Sequence, residues 1–194
     1  MTELKKLIDQ PNFYLGLVHH PIRNKRGEEV TTSVTNLDIH DIARSCETYG
    51  IKSYFIVTPL EAQHQLVNRI LGHWKEDRSS LYNPDRQQAL DRVVLSPSIE
   101  EAMQKIEEVE GKKPLLAVTG ANFTEYQGDT EELKKKACVD SRPVFLLFGT
   151  GWGLHEKVTD QADFKLVPLR SNTEYNHLSV RSAVAIYLDR LFGI

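Results

Sequence analysis

The amino-acid sequence predicts an α/β fold, a mostly parallel sheet with helices on both faces. Strand-like and helix-like segments alternate about six times along the 194 residues. The strand-like segments are continuous apolar runs, the pattern of strands covered on both faces. No internal repeat, linker or low-complexity tract divides the chain. Residues 1–194 therefore read as a single domain, long enough for a sizeable core.

The elements follow in order. "FYLGLVHH" (13–20) is apolar and aromatic and reads as a strand, and "RNKRGEE" (23–29) as a charged, solvated loop. "LDIHDIARSCETYG" (37–50) reads as a helix capped by Asp38 and stopped by Gly50. Its apolar face is Ile39, Ile42, Ala43, Cys46 and Tyr49, with Arg44 nearly opposite. "IKSYFIVT" (51–58) is a β-branched and aromatic strand. "TPLE" (58–61) has the form of a capping box opening a helix that runs to about Trp74. Residues 75–91 are polar and aperiodic and read as a surface loop.

"RVVL" (92–95) is a short strand. "SIEEAMQKIEEVEG" (98–111) is a helix with Ser98 and Glu101 as its capping box; Ile99, Ala102, Met103, Ile106 and Val109 line one face. "PLLAVTG" (114–120) is a strand ending in a turn, and "GDTEELKKKAC" (128–138) a weaker helix whose lysines form a solvated face. "VFLLFG" (144–149) and "FKLVPL" (164–169) are strands. "HLSVRSAVAIYLDRLF" (177–192) is a helix with Val180, Val184, Tyr187, Leu188 and Leu191 facing the core.

Composition excludes several classes. Net charge is −3, so no overall positive field attracts nucleic acid; such binding needs a local patch or two chains combined. Cys46 and Cys138 lie far apart without CxxC spacing, which suits buried thiols in a reduced, cytoplasmic protein. No apolar stretch approaches the ~20 residues that span a bilayer, and "MTELKKLIDQ" is too polar for a signal peptide. His19 and His20 are adjacent on a strand and point to opposite faces, so with Asp38, His40 and Asp41 they make no metal site.

The segment "PVFLLFGTGWGLHEKV" (143–158) poses the functional question. An apolar strand stops at Gly149, Gly151 and Gly153, a pattern that lets a ligand approach the backbone. The spacing is GxGxG rather than GxGxxG, little helix follows and no later βαβ unit remains, which disfavours a dinucleotide site. No GKS or GKT follows, which excludes a P-loop.

Three segments together resemble the SPOUT class of RNA methyltransferases. "VTNLDIHDIARSCETYGIKSYFIVTP" (34–59) carries an Arg on a helix before a small-residue turn and a strand. "FLLFGTGWGL" is similar to that class's strand and Gly-rich loop. "LVPLRSNTEYNHLSVRSAVAIYL" is similar to its apolar-Pro-apolar strand end, polar loop and helix. The resemblance implies a C-terminal trefoil knot, a homodimer, and methyl transfer from S-adenosylmethionine to an RNA substrate without a metal.

It also implies site residues. Gly149, Thr150, Gly151 and Gly153 meet the cofactor. Leu147, Val167, Pro168 and Leu169 hold the adenine by backbone groups and side chains. Thr119 and Gly120 form a third wall, and Asn176, Leu178 and Ser179 the turn before the last helix. Arg44 is assigned to the acceptor RNA. The family's loop Glu is replaced by Thr150-Gly151-Trp152, and Asp38 and His40 stand where Asn and Gly are expected. That leaves open whether the acceptor is a ribose 2′-oxygen or a base nitrogen. Two alternatives also stay open: a non-catalytic RNA-binding dimer of the same fold, and a nucleotide-dependent α/β oxidoreductase.

Overall fold

Six strands form one parallel sheet. The computed structural model describes residues 11–75, 83–170 and 172–194. Its sheet contains β1 (Phe13–Val18), β4 (Tyr54–Val57), β5 (Val93–Ser96), β6 (Leu115–Val118), β7 (Val144–Gly149) and β8 (Phe164–Lys165). The strand order is β5-β4-β1-β7-β6-β8, and every pairing is parallel. A separate antiparallel ribbon joins β2 (Ile22–Arg23) to β3 (Glu29–Val30).

The helices are α1 (Asn36–Thr48), α2 (Glu61–Lys75), α3 (Pro84–Leu90), α4 (Ile99–Glu110), α5 (Thr130–Asp140), α6 (Glu156–Thr159) and α7 (Val180–Phe192). The continuous apolar strands divide by the two-residue period of the pleat. Leu15, Leu17, Tyr54, Ile56, Leu146 and Phe148 face one core with Ile42, Leu133 and Leu188. Tyr14, Phe55, Leu116, Phe145 and Leu147 face the other with Ile99, Ala102 and Ile106. Both faces of the sheet are thus covered, as the unbroken apolar runs require.

Several local expectations are corrected. Thr35, not Asp38, caps α1: its hydroxyl accepts from the Asp38 N–H at 3.2 Å, while Asp38 sits buried in the first turn. "TPLE" is not a capping box, because Thr58 is buried at a strand end and α2 begins only at Glu61. Part of the segment expected as a loop is α3, capped by Asn83, whose side chain accepts from the Arg86 N–H; residues 76–82 of that segment lie outside the described ones. Sparse apolar residues hide so short a helix from periodicity. Val109 is 77% exposed, beyond the end of α4's buried face. "FKLVPL" pairs as a strand only at Phe164–Lys165, with one further bridge between Leu166 and Gly128. The charged segment after β1 is a hairpin rather than a loop. Cys138 is exposed, while Cys46 is buried and burial pushes its thiol pKa up.

Candidate functional site

The carboxyl ends of β6 and β7 open into a cavity of about 690 Å³, a size suited to a small organic ligand. In open parallel sheets, ligands collect outside the carboxyl ends of strands where the strand order reverses. Here β7 inserts between β1 and β6, and the chain then reverses to place β8 on the far side of β6.

The floor is the turn after β7. Gly149 continues the strand, and an added Cβ would sit 2.6 Å from the Leu154 nitrogen and 2.9 Å from the Gly153 carbonyl carbon. The glycine is required by its own loop, which folds back against it. Gly151 and Gly153 have φ of 56° and 100°, left-handed values that a side chain resists. The Gly153 N–H donates to the Thr150 carbonyl at 2.9 Å and closes the turn. Thr150 Oγ1 donates to the Val18 carbonyl at 3.0 Å and meets the Thr32 hydroxyl, tying the turn to the end of β1 and the segment after β3.

A second wall is Thr119 to Phe123, after β6. Thr119 gives both its N–H and its hydroxyl to the Leu147 carbonyl, at 3.1 and 3.0 Å. A third wall is Leu169 with residues 176–181, which lead into α7. Asn176 Nδ2 donates to the Ala121 carbonyl at 2.9 Å, joining second and third walls. Ser179 caps α7 by accepting from the Ser182 N–H at 3.2 Å.

The structure therefore brings together Thr119, Gly120, Gly149, Thr150, Gly151, Gly153, Leu169, Asn176, Leu178 and Ser179 around one space. Leu147, Val167 and Pro168 stay behind the wall. Leu147 is fully buried, and its carbonyl already accepts two bonds from Thr119. The Val167 N–H is given to the Gly128 carbonyl, and its own carbonyl accepts from the Tyr187 hydroxyl at 2.7 Å. The backbone contacts the resemblance implies for those two residues are thus taken up within the protein. Burial pushes the Tyr187 phenol up to about 12, so it remains a donor. Arg44 is exposed on α1 and outside the cavity lining.

Sequence reading missed the charged pair at the cavity edge. Arg181 Nη1 donates to the buried Asp38 carboxylate at 2.7 Å, and Arg181 Nε lies 3.5 Å from Asp41. Asp38 also accepts from the Thr35 hydroxyl at 2.6 Å. This joins α1 to the start of α7, two segments 143 residues apart, and no spacing rule could have linked them. His19, fully buried at the end of β1, shares a hydrogen bond at 3.0 Å between Nδ1 and the Thr32 hydroxyl. Burial lowers its pKa to about 4, against a smaller opposing pull from Asp38, so the ring is neutral near pH 7. His20 instead bonds Thr31. The cavity also takes in Arg23, Asn24 and Lys25 of the hairpin, together with Trp152.

These features fit an adenosine-bearing methyl donor. Phe148, Leu154 and Leu169 supply apolar surface, and Thr119, Asn176 and Asp38 supply polar groups around the glycine turn.

Comparison with known proteins gives the same direction. A family profile described as "SAM-dependent RNA methyltransferase" matches residues 12–193. A "tRNA (guanine-N(1)-)-methyltransferase" of Oleidesulfovibrio alaskensis is 43% identical over 182 residues, covering 94% of this chain and 42% of that relative. The chain thus spans less than half the length of that relative. An uncharacterized protein of Aquifex aeolicus is 36% identical over 186 residues, covering 94% of this chain and 89% of its own. The SpoU methyltransferase AviRb of Streptomyces viridochromogenes, solved in complex with AdoMet, shares the fold with a TM-score of 0.56 at 16% identity, over 94% of this chain and 57% of the other.

Proposed function

The chain belongs to the SAM-dependent RNA methyltransferase family, and on that premise we propose that it transfers a methyl group from S-adenosylmethionine to RNA in the cavity at the ends of β6 and β7. The observation that carries the reading is convergence. Three loops at strand ends, drawn from residues 119–181 and two of them matching motifs of the resemblance, enclose one space. When bound, S-adenosylmethionine supplies a methyl carbon made electrophilic by its sulfonium. The chain's own task is to hold that group, exclude water and align the acceptor, worth several kcal/mol when reacting atoms are pre-positioned.

The glycine turn and the Thr119–Phe123 wall hold the adenosine and methionine parts in this reading. Leu169 covers the ring, and the backbone around Gly120 and Gly149, rather than that of Leu147 or Val167, does the pairing. Arg44 takes an acceptor phosphate from the surface of α1. Its sequence neighbours Asp41 and Glu47 are engaged by Arg181 and Arg92, so its guanidinium is available. Because it lies off its own cavity, it reaches the acceptor at the site of a second copy, and the active form is a homodimer. The trefoil knot belongs to the same reading.

RNA is the acceptor class. The guanine named for the relative belongs to a protein more than twice as long as its matched part, so tRNA is the first acceptor to test rather than an assigned one. The test is incorporation of tritium from methyl-labelled S-adenosylmethionine into unfractionated bacterial tRNA and rRNA. Incorporation is expected. Arg44→Ala should cut it at least about tenfold, the ~1.4 kcal/mol of one charged contact, with melting temperature unchanged. Cofactor binding without incorporation into any RNA would favour the non-catalytic dimer.

A further inference from the structure

The β2–β3 hairpin and the glycine turn are one structural unit. The Arg23 N–H donates to the Gly153 carbonyl at 2.9 Å, and the His155 N–H to the Pro21 carbonyl at 3.2 Å. Ile22 and Leu154 form an antiparallel bridge between them. Lys157 bonds Glu29 at 2.8 Å and Arg23 lies 3.4 Å from Glu156, so side chains repeat the connection. The segment that reads as a solvated loop is therefore fixed to the loop that forms the cavity floor.

Trp152 is the tip of that turn. Left-handed glycines, Gly151 and Gly153, stand on either side of it. It is 55% exposed and belongs to neither core cluster. The fold gives no reason for an indole there, yet the residue lines the cavity mouth. Beside it the hairpin carries Arg23, Lys25 and Arg26. Of the hairpin's acids, Glu29 is paired with Lys157, while Glu28, held by the neutral Asn24 side chain, keeps its charge and is outnumbered by Arg23, Lys25 and Arg26. Lys25 and Arg26 are exposed and make no ion pair among the described residues. A chain of net charge −3 thus presents a local cationic edge next to one exposed aromatic face. An aromatic platform beside cations is the arrangement that binds single-stranded nucleic acid, by base stacking and phosphate neutralisation.

We propose that Trp152 and the hairpin tip form the acceptor clamp: an unpaired RNA nucleotide stacks its base on Trp152 while Arg23 and Lys25 hold its flanking phosphates. The clamp rests on the RNA methyltransferase reading and specifies how that site selects an unstacked nucleotide over duplex. Since the turn is shared, the stacked base lies next to the methyl donor's pocket.

The test uses the full chain and a single-stranded 12-nucleotide oligouridylate. The chain has two tryptophans, so Trp74→Phe leaves Trp152 as the reporter. RNA should quench its emission. Trp152→Ala should weaken RNA affinity about tenfold or more, Trp152→Phe should restore most of it, and both should keep S-adenosylmethionine affinity within about threefold. The Arg23→Ala, Lys25→Ala double variant should reduce the slope of log affinity against log salt by about 1.4, or ~0.7 per lost phosphate contact. Native-like RNA affinity and methyl transfer in Trp152→Ala would overturn the clamp and leave the family reading intact. Equal loss of cofactor and RNA binding in that variant would also overturn it, marking the indole as a support of the turn. Native protein that neither binds this RNA nor methylates bulk tRNA or rRNA would remove the underlying reading and the clamp with it.

Discussion

Gly149 has no room for a side chain, because the turn it opens closes back on it at 2.6 Å. Gly149→Val must displace the Gly153–Leu154 backbone, an overpacking that costs about 1–3 kcal/mol. The expected result is a protein that still folds, melts lower and has lost S-adenosylmethionine binding by calorimetric titration. Unchanged cofactor affinity would mean that this turn is no part of the pocket. His19 makes a second prediction at this scale. Its folded pKa is lowered from 6.5 to about 4, so between those values the unfolded chain takes up a proton that the folded chain refuses. Stability should be complete above about pH 6.5 and fall as pH drops towards 4, by up to about 3 kcal/mol. His19→Gln should flatten that part of a urea-unfolding profile; a slope that persists unchanged would assign it to other groups.

Asp38 and Arg181 set the relation of α1 to α7. The carboxylate is only 6% exposed and the guanidinium 30%. Removing one partner leaves the other desolvated, which costs more than the pair itself contributes. Asp38→Ala should therefore lower stability by about 2–3 kcal/mol, against the few tenths typical of an exposed pair. A loss below about 0.5 kcal/mol in urea unfolding would show that solvent screens this contact. The same elements show what the sequence made legible. β7 was bounded correctly at Val144–Gly149, and α4 was recovered with its Ser98 cap, because apolar runs and caps are local signals. Asp38 reads as a cap in the sequence, but Thr35 takes that role, and the ion pair of Asp38 with Arg181, 143 positions away, has no local signal. The helix Pro84–Leu90 was missed because it is short and buries only Ala89 and Leu90. Glycines and Thr119 of the site were legible from strand-end motifs. Trp152, Arg23 and Arg181 were not, since only the folded chain brings the hairpin, the turn and α7 to one mouth.

At the scale of the whole molecule, β7, β6 and β8 lie side by side at one side of the sheet. The chain returns three times to the carboxyl edge of β6, β7 and β8, and each return supplies one wall. Tyr187 and Leu191 of α7, which the sequence places on the core face, are buried within the protomer at 3% and 2% exposure. The proposed homodimer, where it uses α7, must therefore use other residues of that helix, and the proposal rests on the placement of Arg44 away from its own cavity. Among the described residues, no helix is long and apolar enough to cross a membrane. The central claim is that the cavity binds S-adenosylmethionine. The most direct measurement is isothermal titration of the full chain with S-adenosylmethionine and, in parallel, NAD⁺. One cofactor bound per chain, abolished by Gly149→Val, with no heat from NAD⁺, is the predicted result. Saturable binding of NAD⁺ with none of S-adenosylmethionine at millimolar concentration would contradict it.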